Sequence, residues 1–397
     1  MSLCRTEAEA GEQCEIEIFH GIRQIRDSWD RLVPSGDPYW ASAFLENIEK
    51  HPPGDYRFRY LLFRKQGRPV GVAYAQITLF SAWQSIRGGL GETGRRRSFF
   101  TIFRHWLARK LELNTLILGN TLVSGQYAYH FDEAVTDPAA EVRRATEQLI
   151  AALEGEGIPI HVVTVKDLEG EQAGAWQTGP HEWKEVCFQP RMLMHLRKDW
   201  RSGDDYVASM NSKYRVRYRR ARKKLAPILS RRLSLAEMQE SRATMHRLYS
   251  EVAKQSGFNM VKLQEDYWCE LKEVFGDNFT VRGYFKGEEL VGFYSLLRGE
   301  HAVWHANFLG YDQAANQQHQ LYLNMLYDMV TSAIEGQAEV LDFSRTALEI
   351  KSSVGAEPEN LYCYFRHRSR FINPMVPWLA QVIAPDDGWE QRHPFKV

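Results

Sequence analysis

Three β-rich runs follow one another with almost nothing between them: Phe279 to Phe285, Leu290 to Leu297 and His301 to Leu309. Lys286-Gly287 turns the chain after the first run and Arg298-Gly299 breaks it after the second. A parallel pairing needs a crossover of a dozen or more residues, so connections this short leave only an antiparallel meander. Helical patterns flank it. Ser202 is placed to cap a helix beginning near Asp204. From there Val207, Met210, Tyr214, Tyr218, Ala221 and Leu225 recur every three or four residues as one apolar stripe. Further helices are expected at about Glu237 to Lys254 and Glu265 to Phe275. Beyond the meander, a helix from about Gln318 to Glu335 is stopped by Gly336. A strand at Glu339 to Phe343, a short helix at Thr346 to Val354 and a last strand at Leu361 to Arg366 complete the order.

The first half repeats that order. Helices at Ile22 to Val33 and Ala41 to Lys50 precede strands at Arg57 to Phe63, Val70 to Phe80 and Thr115 to Leu118. A helix at Ala139 to Leu153 and a strand at Ile160 to Val165 follow. A chain of 397 residues also exceeds what one hydrophobic core usually supports. The expected fold class is therefore α/β (α+β), with two tandem domains, each a mixed, mainly antiparallel central sheet flanked by helices. Residues 1–175 form the first domain and 176–397 the second, with the boundary near Glu169 to His181. An insertion near 83–113 carries Arg95-Arg96-Arg97 and the glycine-rich run Gly88-Gly89-Leu90-Gly91, read as a flexible loop.

Charge and composition exclude several classes. Fifty basic residues balance fifty acidic ones, so no global field attracts nucleic acid or membrane. The opening MSLCRTEAEAGEQCE is acidic and lacks the apolar centre of a secretory signal. No apolar run approaches the roughly 18 residues that span a bilayer. The five cysteines are scattered with no CxxC pair, which fits a reducing cytoplasm and no zinc site. A cytoplasmic protein without a metal is the expectation. No nucleophile elbow, Walker loop or dinucleotide fingerprint is present.

Helices, a meander, a helix, a strand, a helix and a strand is also the order of the acetyltransferase (GNAT) fold. From Leu341 the chain reads LDFSRTALEIKSSVGAEPENLYCYFRH. This resembles the segment of Fem-type and BioF2-like (peptidoglycan-bridge-transferase-like) proteins in which a strand ending in Phe, Gly or Ser, Arg and Ser or Thr precedes a Lys and then G-A-x-P-x-x-L-Y. The basic helix after Asp199-Trp200 and the string LGNTLVSGQY, Leu118 to Tyr127, resemble other parts of the same group. The resemblance implies two tandem GNAT-like domains, the first degenerate. It implies transfer of an acyl or aminoacyl group to an amine, with an acyl-CoA or aminoacyl-tRNA donor and a small-molecule or cell-wall-precursor amine acceptor. One departure matters. Acetyl-CoA-using members carry a glycine-rich loop that turns backbone N–H groups toward the pyrophosphate. Here the stretch after Gly310, YDQAANQQHQ, has no glycine.

Amine acylation requires deprotonation of the amine, donors for the oxyanion and alignment of two substrates. The third meander strand supplies candidates. Alternation puts His301, Val303, His305 and Asn307 on one face and Trp304 and Phe308 on the other. His305 is the candidate base, because imidazoles titrate near neutrality, and Asn307 the carbonyl donor; a hydrogen-bonded sheet histidine is the competing reading. The resemblance makes Tyr322, and likewise Tyr327, a candidate proton donor to the leaving group, although taken singly each reads first as a core aromatic. The resemblance points to Arg345 and Lys351 as ligands for a substrate phosphate or carboxylate, with Asp342 and Ser344 beside them. A structural Asp–Arg pair is the alternative. Glu349 is a weaker acid–base candidate. On the basic helix, Arg215, Arg219 and Arg222 with Lys223 face away from the apolar stripe. They read as a solvated face or as a surface for transfer RNA or nucleotide phosphates. Two other functions compete with acyl transfer: a ligand-binding module that kept the fold and lost the chemistry, and an RNA-binding accessory protein.

Overall fold

A computed structural model describes residues 13–81, 112–178, 182–255, 261–299, 302–383 and 388–396. The expected insertion with its arginine and glycine runs lies almost wholly outside the described residues, as does His301. The chain begins with β1 (Glu15–Phe19), α1 (Arg26–Leu32), α2 (Ser42–Lys50), β2 (Tyr56–Lys65), β3 (Arg68–Ser81), β4 (Glu112–Leu118) and β5 (Tyr129–Phe131). It continues through α3 (Pro138–Gly155), β6 (Val162–Leu168), α4 (Gly170–Gln177), β7 (Lys184–Cys187) and β8 (Arg191–His195). Next come α5 (Gly203–Ser209), α6 (Ser212–Leu225), β9 (Leu229–Arg232), α7 (Leu235–Gln255), α8 (Tyr267–Phe275), β10 (Phe279–Lys286), β11 (Glu289–Arg298) and β12 (Val303–Tyr311). The last elements are α9 (Gln313–His319), α10 (Leu321–Glu335), β13 (Val340–Asp342), α11 (Leu348–Ser352), β14 (Glu357–Glu359), β15 (Tyr362–His367) and α12 (Val376–Ile383).

The fold is mixed α/β, with two mainly antiparallel sheets flanked by helices. The two halves are built alike. In each, an antiparallel meander (β2-β3-β4 or β10-β11-β12) is followed by a helix and by a strand lying parallel to the meander's third strand: β6 beside β4, β13 beside β12. Then the halves exchange strands. β8 leaves the first half and pairs antiparallel with β13 and β14. β15 returns from the end of the second half and lies between β6 and β7. The sheet orders are β1-β2-β3-β4-β6-β15-β7, with β5 on β3, and β14-β8-β13-β12-β11-β10-β9. The segment expected as the domain boundary folds as α4, with Ala173 and Trp176 buried.

Alternation along the strands sends side chains into three cores. Leu61 and Phe63 of β2 pack outward under α3, whose stripe Val142, Ala145, Leu149 and Leu153 covers that face. Asp137 caps α3 by accepting from the Ala140 N–H at 2.8 Å. Tyr60, Leu62 and Tyr74 point the other way, into a central core shared with Phe279, Phe293, Leu297, Leu248 and Trp268 of the second half. The outer face of the second sheet packs Trp304, Ala306 and Leu341 against α5, α6 and α10. The single basic helix expected from Asp204 is divided in two. Met210 is extended and bridges to Phe395, while the Asn211 side chain donates to the Phe395 carbonyl at 2.9 Å. Among the described residues no helix is long and apolar enough to cross a membrane.

Tyr364 tests the exchange. Its ring is buried in the core under α3, and its hydroxyl meets the Ala173 carbonyl and Glu185 at 2.9 Å. Tyr364→Ala is expected to lower stability by about 3–5 kcal/mol. It should also strip hydrogen-exchange protection from β6, roughly two hundred residues earlier in the chain, as expected for a strand seated on β6. Unchanged protection at Val162–Leu168 would count against that seating.

Candidate active site at the parting of two strands

The parallel ladder between β12 and β13 is short. It pairs Val303 with Val340, Trp304 with Leu341 and His305 with Asp342, where β13 ends. β12 runs on to Tyr311, so the second sheet opens beyond His305 and Asp342. The chain leaves β13 through a loop in which Ser344, Thr346 and Ala347 all have positive φ, at 57°, 68° and 50°. Such backbone is strained for residues with a Cβ and persists only where surrounding contacts impose it. Lys351 imposes it. Its ammonium lies inside the loop and donates to the carbonyls of Phe343 at 2.6 Å, Arg345 at 2.5 Å and Ser344 at 3.4 Å. Asp342 holds the Ser344 N–H at 2.6 Å. Burial pushes the Lys351 amine down to about 7, with Asp342 pulling the other way.

His305 is buried on the central side of the sheet. Its ring centroid is 4.8 Å from that of Tyr39, and Nδ1 lies 3.7 Å from Asp342 Oδ2 with no hydrogen-bond partner. At that distance the imidazole and the carboxylate share no direct hydrogen bond. The strand alternation expected from the sequence is broken one residue later. A bulge between Ala306 and Leu309 sends both Asn307 and Phe308 to the central side. The Asn307 amide donates to the hydroxyls of Tyr39 and Tyr267 at 3.3 and 3.4 Å, and the Phe308 ring packs on Tyr249 and Tyr267. Tyr39 belongs to the first half. Its N–H meets Asp37, which also accepts from the Tyr127 hydroxyl at 3.1 Å. Burial raises the phenols of Tyr39, Tyr127 and Tyr267, so they remain donors.

Arg345 and Lys351 are both engaged within the protein in this structure. Lys351 is enclosed by its loop carbonyls. Arg345 donates to Asp167 at 2.6 Å, on the first sheet. Burial works against the Asp167 carboxylate, but Lys166 and Arg345 outweigh it and hold it below the usual range. Arg191, on the exchanged β8, meets Glu359 at 2.5 Å and Glu169 at 3.1 Å, and lies 3.8 Å from Asp342. Sequence reading missed Tyr39, Asp37, Arg191 and Asp167. Tyr127 lies in the string already noted for its resemblance. Tyr322 is not brought to His305. It packs on Tyr311 on the outer side of the sheet, 5.8 Å between centroids. Tyr327 lies in the outer core against Tyr218, with burial pushing its phenol up to about 12.

The outer side carries the cations. A cavity of about 710 Å³ is lined by Lys213, Arg217, Arg220, Gln320, Glu349 and Arg392, with Ser212, Tyr214 and Val216. Gln320, left-handed at φ 53°, starts α10 there, so a helix N-terminus opens on the cavity. The glycine-free stretch before it forms α9, capped by Asp312 accepting from Ala315 N–H at 2.7 Å. Glu349 is paired with Arg392 at 2.6 Å. The three basic-helix candidates part company. Arg215 and Arg219 line a second cavity of about 420 Å³. Arg222 turns inward to Asp328 at 2.7 Å, with its guanidinium over the ring of Tyr218.

Residues 212–352, from α6 to the end of α11, match a sequence model of the acetyltransferase (GNAT) domain. No curated protein sequence matches the chain. Among solved structures the chain is similar to the C-terminal domain of a putative lysylphosphatidylglycerol synthetase from Agrobacterium fabrum, at 8% identity and TM-score 0.49, over 93% of this chain and 100% of that one. It is also similar to a tandem GNAT protein from the clavulanic acid biosynthesis pathway, at 11% identity and TM-score 0.48, over 89% and 99%. A third is L-PGS from Bacillus licheniformis, at 11% identity and TM-score 0.45, over 89% and 98%.

Lys351→Met leaves one buried and two part-buried carbonyls without their donor and is expected to lower stability by about 2–4 kcal/mol in urea unfolding. The amine sits below the ordinary lysine value of about 10.4, so between the two values the unfolded chain binds the proton more tightly. Lysine's contribution therefore grows as pH rises above 7, and the deficit of the variant should widen from pH 7 to pH 9. A deficit that shrinks over that range would refute the buried, depressed amine.

Proposed function

We propose that this chain is an N-acyltransferase that moves an acyl group from a thioester donor to an amine across the parting of β12 and β13. The observation that carries the reading is the arrangement around that parting. A cationic cavity at the start of α10 lies on the outer side, and a buried polar cluster around His305 lies on the central side. Phosphates of a nucleotide-linked thioester suit Lys213, Arg217 and Arg220 beside a helix N-terminus. The match of residues 212–352 to the acetyltransferase model supports the same reaction class. The acceptor is an amine reaching the cluster of Tyr39, Asn307 and His305, and a cell-wall precursor or a small metabolite fits that description.

In this reading the amine nitrogen attacks the thioester carbonyl, a C–N bond forms and the C–S bond breaks. With Nδ1 turned toward Asp342, His305 Nε2 takes the proton from the attacking nitrogen, and the thiolate leaves to be protonated in turn. Asn307 donates to the carbonyl oxygen as it becomes an oxyanion. Lys351 acts indirectly, by holding the loop that keeps the strands apart.

The test is steady-state kinetics with a panel of acyl-CoA thioesters and primary amines. His305→Ala is expected to reduce kcat about 100–1,000-fold with little change in donor binding. Arg217→Gln with Arg220→Gln should raise the donor KM about tenfold and leave kcat nearly alone. Equal kcat in His305→Ala and the parent would sink the assignment of the base. Absence of turnover with every thioester would sink the reaction class.

A further inference from the structure

α6 carries far more positive charge than one nucleotide donor can use. Lys213, Arg217, Arg219, Arg220, Lys223 and Lys224 have no acidic partner among the described residues. They spread along a 14-residue helix, about 21 Å at 1.5 Å per residue. Beside the donor cavity, on the other flank of the same helix, lies the second cavity. It is lined by Val207, Ala208 and Val216 together with Ser212, Asp204, Arg215 and Arg219. Val216 is 43% exposed, an unusual place for a bare aliphatic side chain among so many cations.

An exposed apolar patch flanked by two arginines has the composition of a protein interface, in which an apolar centre becomes buried and charges around it steer and orient. A polynucleotide fits it less well. Phosphates have nothing to bury against Val216, and bases need exposed rings to stack on. The aromatic residues of α6 do not offer them, since Tyr214 is buried and Tyr218 lies half-buried under Arg222.

We propose that this face of α6 docks an acidic, helical carrier protein, which seats an apolar side chain in the Val207–Val216 socket and sets carboxylates on Arg215 and Arg219. The two cavities share Ser212 and Val216, so a prosthetic arm from such a carrier enters the donor cavity directly. What the carrier delivers, an acyl thioester, rests on the acyltransfer reading; the docking itself does not.

The probe is a bacterial acyl carrier protein in its apo form, which has no prosthetic arm and cannot enter the donor cavity. Fluorescence anisotropy with the full chain should show binding that weakens with salt. Arg215→Glu with Arg219→Glu should weaken it at least about tenfold, and Val216→Ser about threefold. A 20-nucleotide poly(U) RNA, run in parallel, should bind more weakly than the carrier and ignore Val216→Ser. The proposal is overturned if the apo carrier does not bind, if charge reversal leaves its affinity unchanged, or if the RNA binds tighter. Binding of the apo carrier without turnover of any acyl donor would uphold the docking face and condemn the acyltransfer reading alone.

Discussion

One ammonium group shapes the working end of this molecule. Carbonyls of Phe343, Ser344 and Arg345 converge on the buried Lys351 side chain. The buried Phe343 carbonyl would cost about 1–3 kcal/mol if left unpaired. The donor shared by the three carbonyls lets the chain turn through three left-handed residues that local preference opposes. Because the chain turns there, β13 stops at Asp342 while β12 continues. Without that stop the parallel ladder would run on past His305 and Asp342.

The surroundings of the opening come from both halves. Tyr39 reaches His305 and Asn307 from the first half, with Asp37 and Tyr127 packed behind it. Arg191 arrives on β8, and Arg345 leaves for Asp167 on the first sheet. These buried ions are tolerated because each is matched: Asp167 between Lys166 and Arg345, Arg191 between Glu169 and Glu359. Removing Lys166 or Arg345 would strand part of the Asp167 carboxylate's charge in a dry environment. The ion pairs therefore lock the relative placement of the two sheets more than they add stability.

Much of the architecture was legible in the amino-acid order. Short connections at Lys286-Gly287 and Arg298-Gly299 dictate the meander, and the 3.6-residue stripes locate the helices over it. The side chains of the site were harder to read. Strict alternation placed Phe308 opposite Asn307, but the bulge in β12 turns both the same way, and nothing in the local pattern marks an extra residue. Arg222 has the spacing of a solvated residue, yet Asp328 and Tyr218 draw it inward from other elements. Lys351 and Arg345 read as cations seeking an anion; the structure answers with carbonyls and with Asp167. The exchange of β8 and β15 left no local trace either, because an apolar strand looks the same whichever sheet receives it.

That exchange also separates the order in which the molecule is made from the order in which it can be completed. A ribosome releases the N-terminal portion first, at about 5–20 residues per second. β6 and β7 emerge early, yet the strand that belongs between them is almost the last to appear. Throughout synthesis, therefore, the first sheet waits with an unpaired edge, the kind of surface that invites adhesion to other chains. Neither half matures ahead of the other, and shielding that edge until Tyr362–His367 arrives is a task the nascent chain hands to the cell.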